Sequence, residues 1–485
     1  MLDNNQPALI DLLIENGCVI SVDGERRVIE DGAVAVNGDR IVAVGTTTEL
    51  KARYTARKTI NAFRKAVLPG FIDCHAHAGH GLLKTMGGGD GEAWSDACQT
   101  IYTVGSDEEF WYAEARLAAL ERLKCGTTTG VCFFGGGDSI MRVDDPVYAT
   151  RHCDAIAETG TRSFLAVGPS RPPGPRTYAS WNGNQRTDRE VSFEQMYATC
   201  EDIIQTQHGR ADGRVNICVT LPVYHPDHEP GQLQYEDIFC GQAGQYMDLA
   251  RRHALGFTQD GHRAGSLKLA EGMGLLGATS FMSHSIDLTP EDIAACVATG
   301  TRIVHNPSAI MSIRGRCPVP ELLEAGVTVA LGSDGIAPDR SYDMFRHMFQ
   351  CMHYHRRHFR DSGVLPHGKV LEMVTIDAAR TLGLEHEIGS LEAGKKADII
   401  LVDLFKPHMM PLNMPVYRVT AFANGADVTT TIVNGRVLME DGKVNAVDEA
   451  EVMELAQVAA DRMIQRTGLR HLLDSPEKLW RAAHY

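Results

Sequence analysis

Residues 66–77 read AVLPGFIDCHAH. An apolar run, broken by a Pro-Gly pair, ends in two histidines one residue apart. Its apolar positions are continuous rather than alternating, as in a strand of a parallel sheet buried on both faces. Seven later stretches share that character: TTTGVCFF (127–134), RSFLAVG (162–168), VNICVTLP (215–222), ALGFTQD (254–260), TSFMSH (279–284), TRIVHN (301–306) and VTVALGSD (327–334). Between them lie stretches such as EEFWYAEARLAALERL (108–123), with apolar residues at helical spacing. Eight strands alternating with helices predict an α/β fold, a (β/α)₈ TIM-like barrel over residues 67–388.

The flanks read differently. LIENGCVIS, GAVAVNGD and RIVAVG near the start, and ADIILVDL, VTTTIVNGR and RVLMEDGKV near the end, are short strands around NG, DG and GD turns. They predict a small β-sandwich formed by both chain ends, residues 1–66 and 389–447. Residues 448–485 read as a helical tail that packs on the barrel or on another subunit. The Pro-, Gly- and polar-rich segment around 170–193 is expected to be a long loop on the active-site face.

Composition narrows the function. The net charge of −15 argues against a nucleic-acid partner, which needs clustered cations. Twelve cysteines, scattered singly in 485 residues, are too sparse for a disulfide scaffold and suit reduced, buried thiols. The start MLDNNQPALIDLL has no basic segment or cleavage site of a signal peptide, and no apolar run approaches the roughly 18 residues of a membrane span. A cytoplasmic, homo-oligomeric enzyme acting on a small molecule, with no membrane partner, is the expectation.

In such a barrel, functional groups sit at the C-terminal ends of strands. His75 and His77 end the first strand, and residues i and i+2 share a face, so both imidazoles can ligate one ion. Asp334 ends the eighth strand, where an aspartate needs a partner: a metal, a metal-bound water, or the first turn of a following helix that it caps. His262 and His284 follow the fifth and sixth strands. Histidine and carboxylate ligands suit zinc, iron, manganese or cobalt.

These residues carry a resemblance. LPGFIDCHAHAGH, the stretch HNPSAIMSIRGRCPVPELLEAGVTVALGSDG (305–335), and the closing segments IGSLEAGKKADIILVDL and VNGRVLMEDGKV resemble the amidohydrolase superfamily over nearly the whole chain. The similar branch includes triazine hydrolases, guanine and cytosine deaminases and imidazolonepropionase. The resemblance implies His75 and His77 as metal ligands, Asp334 as ligand and proton shuttle, and His284 as ligand or as polariser of water and substrate. Deaminases of that branch place a ligand histidine on strand five, with a glutamate three residues later that protonates a ring nitrogen. Here the sequence is FTQDGHRAG (257–265). With His262 as the metal ligand, the glutamate position is Gly265; with Gln259 there, it is His262. Either way the glutamate is missing, which favours an amide, urea or carbamate, as in the related phenylurea and thiocarbamate hydrolases, over a heterocycle, for which His262 or another group would have to supply the acid. VNICVTLP has no lysine to bridge two ions, so one divalent ion, zinc first, is expected.

His80, Trp94, Gln259 and His305 are the expected substrate contacts, with Lys84 and the Gly87–Gly89 loop at the mouth and Trp181 a further aromatic wall. CMHYHRRHF (351–359) reads as a solvated or interface helix, because i and i+2 do not face each other on a helix. Hydrolysis of a non-peptide C–N bond by activated water is the leading expectation. Deamination or dechlorination of an N-heterocycle, and a catalytically silent binding scaffold, are the alternatives.

Overall fold

The computed structural model describes residues 7–88, 91–136, 139–477, 479–480 and 483. Eight strands form one parallel sheet in chain order: Phe71–Asp73, Thr127–Phe133, Arg162–Val167, Val215–Thr220, Phe257–Gln259, Ser280–Ser283, Arg302–His305 and Val329–Leu331. The first and last meet, with Cys74 N donating to Leu331 O (3.1 Å) and Asp334 N to His75 O (2.8 Å). The sheet is therefore the closed barrel expected from the sequence. Ile72, Val131, Phe133, Ala166, Phe281, Val304 and Ala330 fill its interior, plugged at the lower end by Ala378, Ala379 and Ile388. Alternate residues, such as Phe71, Leu165, Phe257, Ile303 and Leu331, face the surrounding helices.

The stretch 66–77 is not one strand. Lys65–Pro69 pairs with Ala8–Ile20 and Ile399–Asp403 in the terminal sheet, and only Phe71–Asp73 joins the barrel. Gly70 makes the crossing: a Cβ there would lie 2.3 Å from a side-chain atom of Thr128.

The terminal sheet has nine strands drawn from both chain ends. It folds over on itself, so that Leu12, Val34 and Ile60 from one limb pack with Val67, Ile399 and Ile432 from the other. Arg162 at the bottom of the barrel is clasped by Asp398 and Asn434 of this sheet, all buried.

Two flanking segments differ from or sharpen the expectations. The segment after the third strand is largely a two-stranded hairpin, Arg176–Asn182 with Gln185–Val191, turned at Gly183 with φ 59°. Trp181 Nε1 there donates to Val104 O, so this ring braces the hairpin. The tail forms a helix, Glu449–Thr467, that packs on the helix Glu108–Lys124 of the barrel's outer layer.

Candidate metal-dependent active site

At the C-terminal mouth five side chains converge. His75 Nε2 lies 3.3 Å from Asp260 Oδ1 and 3.5 Å from Asp334 Oδ1. His77 Nε2 lies 3.4 Å from Asp260 Oδ2 and 3.2 Å from Asp334 Oδ1. His284 Nε2 approaches Asp260 Oδ1 to 2.8 Å. All five are buried. The ligand atoms of His75, His77 and Asp334 all lie within 4.8 Å of one another, as do those of His75, Asp260 and His284.

The backbone aims these groups. Asp334 and His284 both adopt left-handed backbone, each with φ 62°, a conformation that costs a non-glycine residue energy and is held only by its surroundings. Beneath Asp334, the carboxylate of Asp73 accepts from Ser333 N (2.9 Å) and Ser333 Oγ (2.7 Å) and from Arg122 Nη2 (2.9 Å). His77 Nδ1 meets the carbonyl of Gly135 at 3.1 Å. That contact puts the proton on Nδ1 and leaves the Nε2 lone pair for the cluster.

The electrostatics favour a cation at the centre. Burial alone would lower the His75 pKa, but Asp260 and Asp334 outweigh it and raise it to about 9. Burial likewise pushes the two carboxyls up, yet the imidazoles around them hold both well below the usual carboxylate range: His75 and His284 for Asp260, and His284, His75 and His77 for Asp334. Neither nitrogen of His75 has a hydrogen-bond partner among the described residues. Three imidazoles and two carboxylates around one point are the donor set of a divalent transition ion, and the residues present fit one.

The cluster floors an open cleft of about 260 Å³, walled by His80, Trp94, Gln99, His225, Glu229, Arg263, Met311 and Arg340. His80 stacks on His77 at 4.9 Å and meets the edge of Trp94 at 5.3 Å. Burial and the neighbouring His77 hold its imidazole well below the usual range, hence neutral.

Three residues singled out from the sequence lie elsewhere. His262 does not enter the cluster; its Nδ1 pairs with Ser266 Oγ at 2.8 Å, and burial lowers its pKa to about 3. Gln259 points between strands, its Nε2 donating to the carbonyls of Leu221 and Pro222. Both line a small pocket beside the barrel with Tyr224 and Phe239. His305 faces the helix Met344–Phe359, its ring 5.3 Å from that of His355. Lys84 pairs with Glu121 at 2.5 Å. Gly89 lies outside the described residues. Asp260, by contrast, was not singled out and supplies the fifth-strand group.

A 5-methylthioadenosine/S-adenosylhomocysteine deaminase of Moorella thermoacetica is 30% identical over 447 residues, covering 91% of this chain and 97% of that one. The chain belongs to the amidohydrolase superfamily. The amidohydrolase family pattern matches residues 248–438, and an imidazolonepropionase-like composite domain matches 32–56. A second deaminase of the same description, from Syntrophus aciditrophicus, is 29% identical over 94% of this chain and 98% of its own. A zinc-bound adenosine deaminase structure from Xanthomonas campestris superposes with a TM-score of 0.80 at 23% identity, covering 95% of this chain and all of that one, and speaks to the fold. The resemblance drawn from the sequence is borne out. As an amidohydrolase the chain is a metal-dependent enzyme of non-peptide C–N bonds.

Proposed function

We propose that this amidohydrolase cleaves an amide, urea or carbamate C–N bond in a small polar molecule, using one zinc-type ion. The supporting observation is the wall of the cleft beside the fifth strand. Three residues beyond Asp260 stands Arg263, and a guanidinium donates hydrogen bonds but does not serve as the acid that a ring nitrogen needs. It suits a carbonyl or carboxylate oxygen instead.

In this reading His75, His77 and Asp334 hold the ion, with Asp260 in the fifth-strand position. An ion held there lowers the pKa of a bound water toward neutrality and polarises a carbonyl. Asp334 takes the proton of the attacking water and passes it to the departing nitrogen. Asn306 Nδ2 lies 3.4 Å from His284 Nδ1; donating to it, Asn306 leaves the proton on His284 Nε2, where Asp260 Oδ1 at 2.8 Å and the developing oxyanion share it. Trp94 and His80 wall the substrate.

The second reading is deamination of an adenosine-like heterocycle. The relatives' descriptions favour it, and so does Glu229, a carboxylate on the cleft wall 3.5 Å from His225 Nε2. A panel of ureas, carbamates, amides and purine nucleosides, run on metal-reconstituted protein, separates the two. Amine or ammonia release from the first three classes supports the leading reading. Turnover confined to nucleosides sinks it.

Cytoplasmic location and homo-oligomerisation belong to the same proposal. All twelve cysteines are free, as in a reducing compartment. Phe405, Leu412, Met414, Tyr417 and Phe422 form an exposed apolar stretch suited to a second copy. No described helix is long and apolar enough to cross a membrane.

A further inference from the structure

Behind the cluster lies a second set of soft donors. His305 ends the seventh barrel strand. Cys351 and His355 are four residues apart on the helix Met344–Phe359, and so share one face of it. All three side chains are completely buried. Their ligand atoms lie within 4.8 Å of one another, and the group shares no residue with the catalytic cluster.

No hydrogen bond among the described residues occupies the imidazoles of this group. Both ring nitrogens of His305 and both of His355 lack a hydrogen-bond partner among the described residues. A buried imidazole normally finds partners for its donor and its acceptor. Here two such rings face each other and a thiol, with four nitrogens unanswered. The surrounding helix is otherwise well moored: Gln350 Nε2 donates to Pro307 O at 3.0 Å, and Tyr354 Oη to Ser312 O at 3.2 Å.

We propose that His305, Cys351 and His355 form a structural site for a soft divalent ion of the zinc type, distinct from the catalytic one. Two imidazoles and a thiolate are a zinc donor set, and neighbouring donors on a tetrahedral ion sit roughly 3.3–3.7 Å apart, so closure requires shifts of about an ångström. Binding releases the thiol proton. Three protein donors leave one position, for a water. The ion would tie the end of strand seven to the helix that follows strand eight. Asn306, next to His305, touches His284, so this tie also steadies the catalytic wall.

Cobalt substitution of the full chain tests the site, because the catalytic cluster contains no cysteine. A Cys240→Ser background removes the exposed thiol. We expect about two ions per chain and a thiolate-to-cobalt charge-transfer band. Cys351→Ser should abolish the band and remove one ion, whereas His75→Ala/His77→Ala should keep both the band and the second ion. One ion per chain with no thiolate band overturns the proposal. So does a band that survives Cys351→Ser. If Cys351→Ser fails to fold, the spectrum and metal content of the parent protein still decide.

Discussion

His284 Nε2 and Asp260 Oδ1, 2.8 Å apart, make the shortest contact in the cluster, binding the ends of the fifth and sixth strands into one unit. Asp260 is also what raises His75 most. A protonated His75 cannot ligate, so metal affinity should increase with pH up to about 9 and level off above it. Asp260→Asn keeps the shape and removes the charge. It should weaken metal binding by about 10–100-fold or more and move that pH dependence to lower values. Chelator competition at several pH values measures both. Unchanged affinity with an unchanged pH profile would remove Asp260 from the site.

Asp73 is fully buried and neutralises Arg122 while holding the Ser333 turn below Asp334. Asp73→Ala strands a buried guanidinium, which typically costs about 3–5 kcal/mol. Pairing it with Arg122→Met should recover part of that loss. Denaturant midpoints report the difference, and a single variant within about 1 kcal/mol of the parent would show that Cys132 and the Tyr342 ring suffice as partners for Arg122.

Much of this was legible in the sequence, and period-two alternation explains what was not. Eight apolar runs gave eight strands because each had to be buried on both sides. On the fifth strand, Phe257 packs outward against the helices. Alternation then sends Gln259 outward as well and Asp260 inward, a signal the sequence carries beside the more conspicuous His262. On the seventh, Ile303 faces outward and Val304 inward, so His305 turns to the helix layer and not to substrate. The sixth strand could not be read this way. Phe281 faces in and Met282 out, which would send His284 outward; its left-handed backbone breaks the alternation. In 351–359 the conspicuous spacing is the His353/His355 pair at i and i+2, whereas the buried pair, Cys351 and His355, is i to i+4.

Asp107 caps the helix Glu108–Lys124 through Phe110 N at 2.9 Å and anchors the C-terminal helix through Arg466 at 2.6 Å and Arg462 at 3.3 Å. Burial raises its pKa, but these bonds and cations outweigh burial and lower it. A carboxyl depressed in the folded state contributes stability above its unfolded pKa, about 3.9. That contribution is lost as pH falls through the lower folded value. Asp107→Asn retains a capping side chain and loses the ion pairs. Asp107→Ala loses both, about 1 kcal/mol more. Limited proteolysis should clip the tail faster in both, with the parent approaching them only in acid. Equal protection of the parent and Asp107→Ala at neutral pH would contradict the anchor.

Arg263 stands on the cleft wall where a ring-protonating acid would be needed for deamination. If it grips a substrate oxygen equally in the ground and transition states, Arg263→Gln raises KM and spares kcat. Losing one charge-assisted hydrogen bond, about 1.5–3 kcal/mol, corresponds to roughly a 10–150-fold rise in KM. Steady-state kinetics on the best urea, carbamate or amide substrate reads this directly. A collapse of kcat at constant KM would mean that Arg263 acts on the transition state alone. No change in either would mean that substrate binds clear of this wall, and the argument from Arg263 against heterocycle deamination would lose its basis.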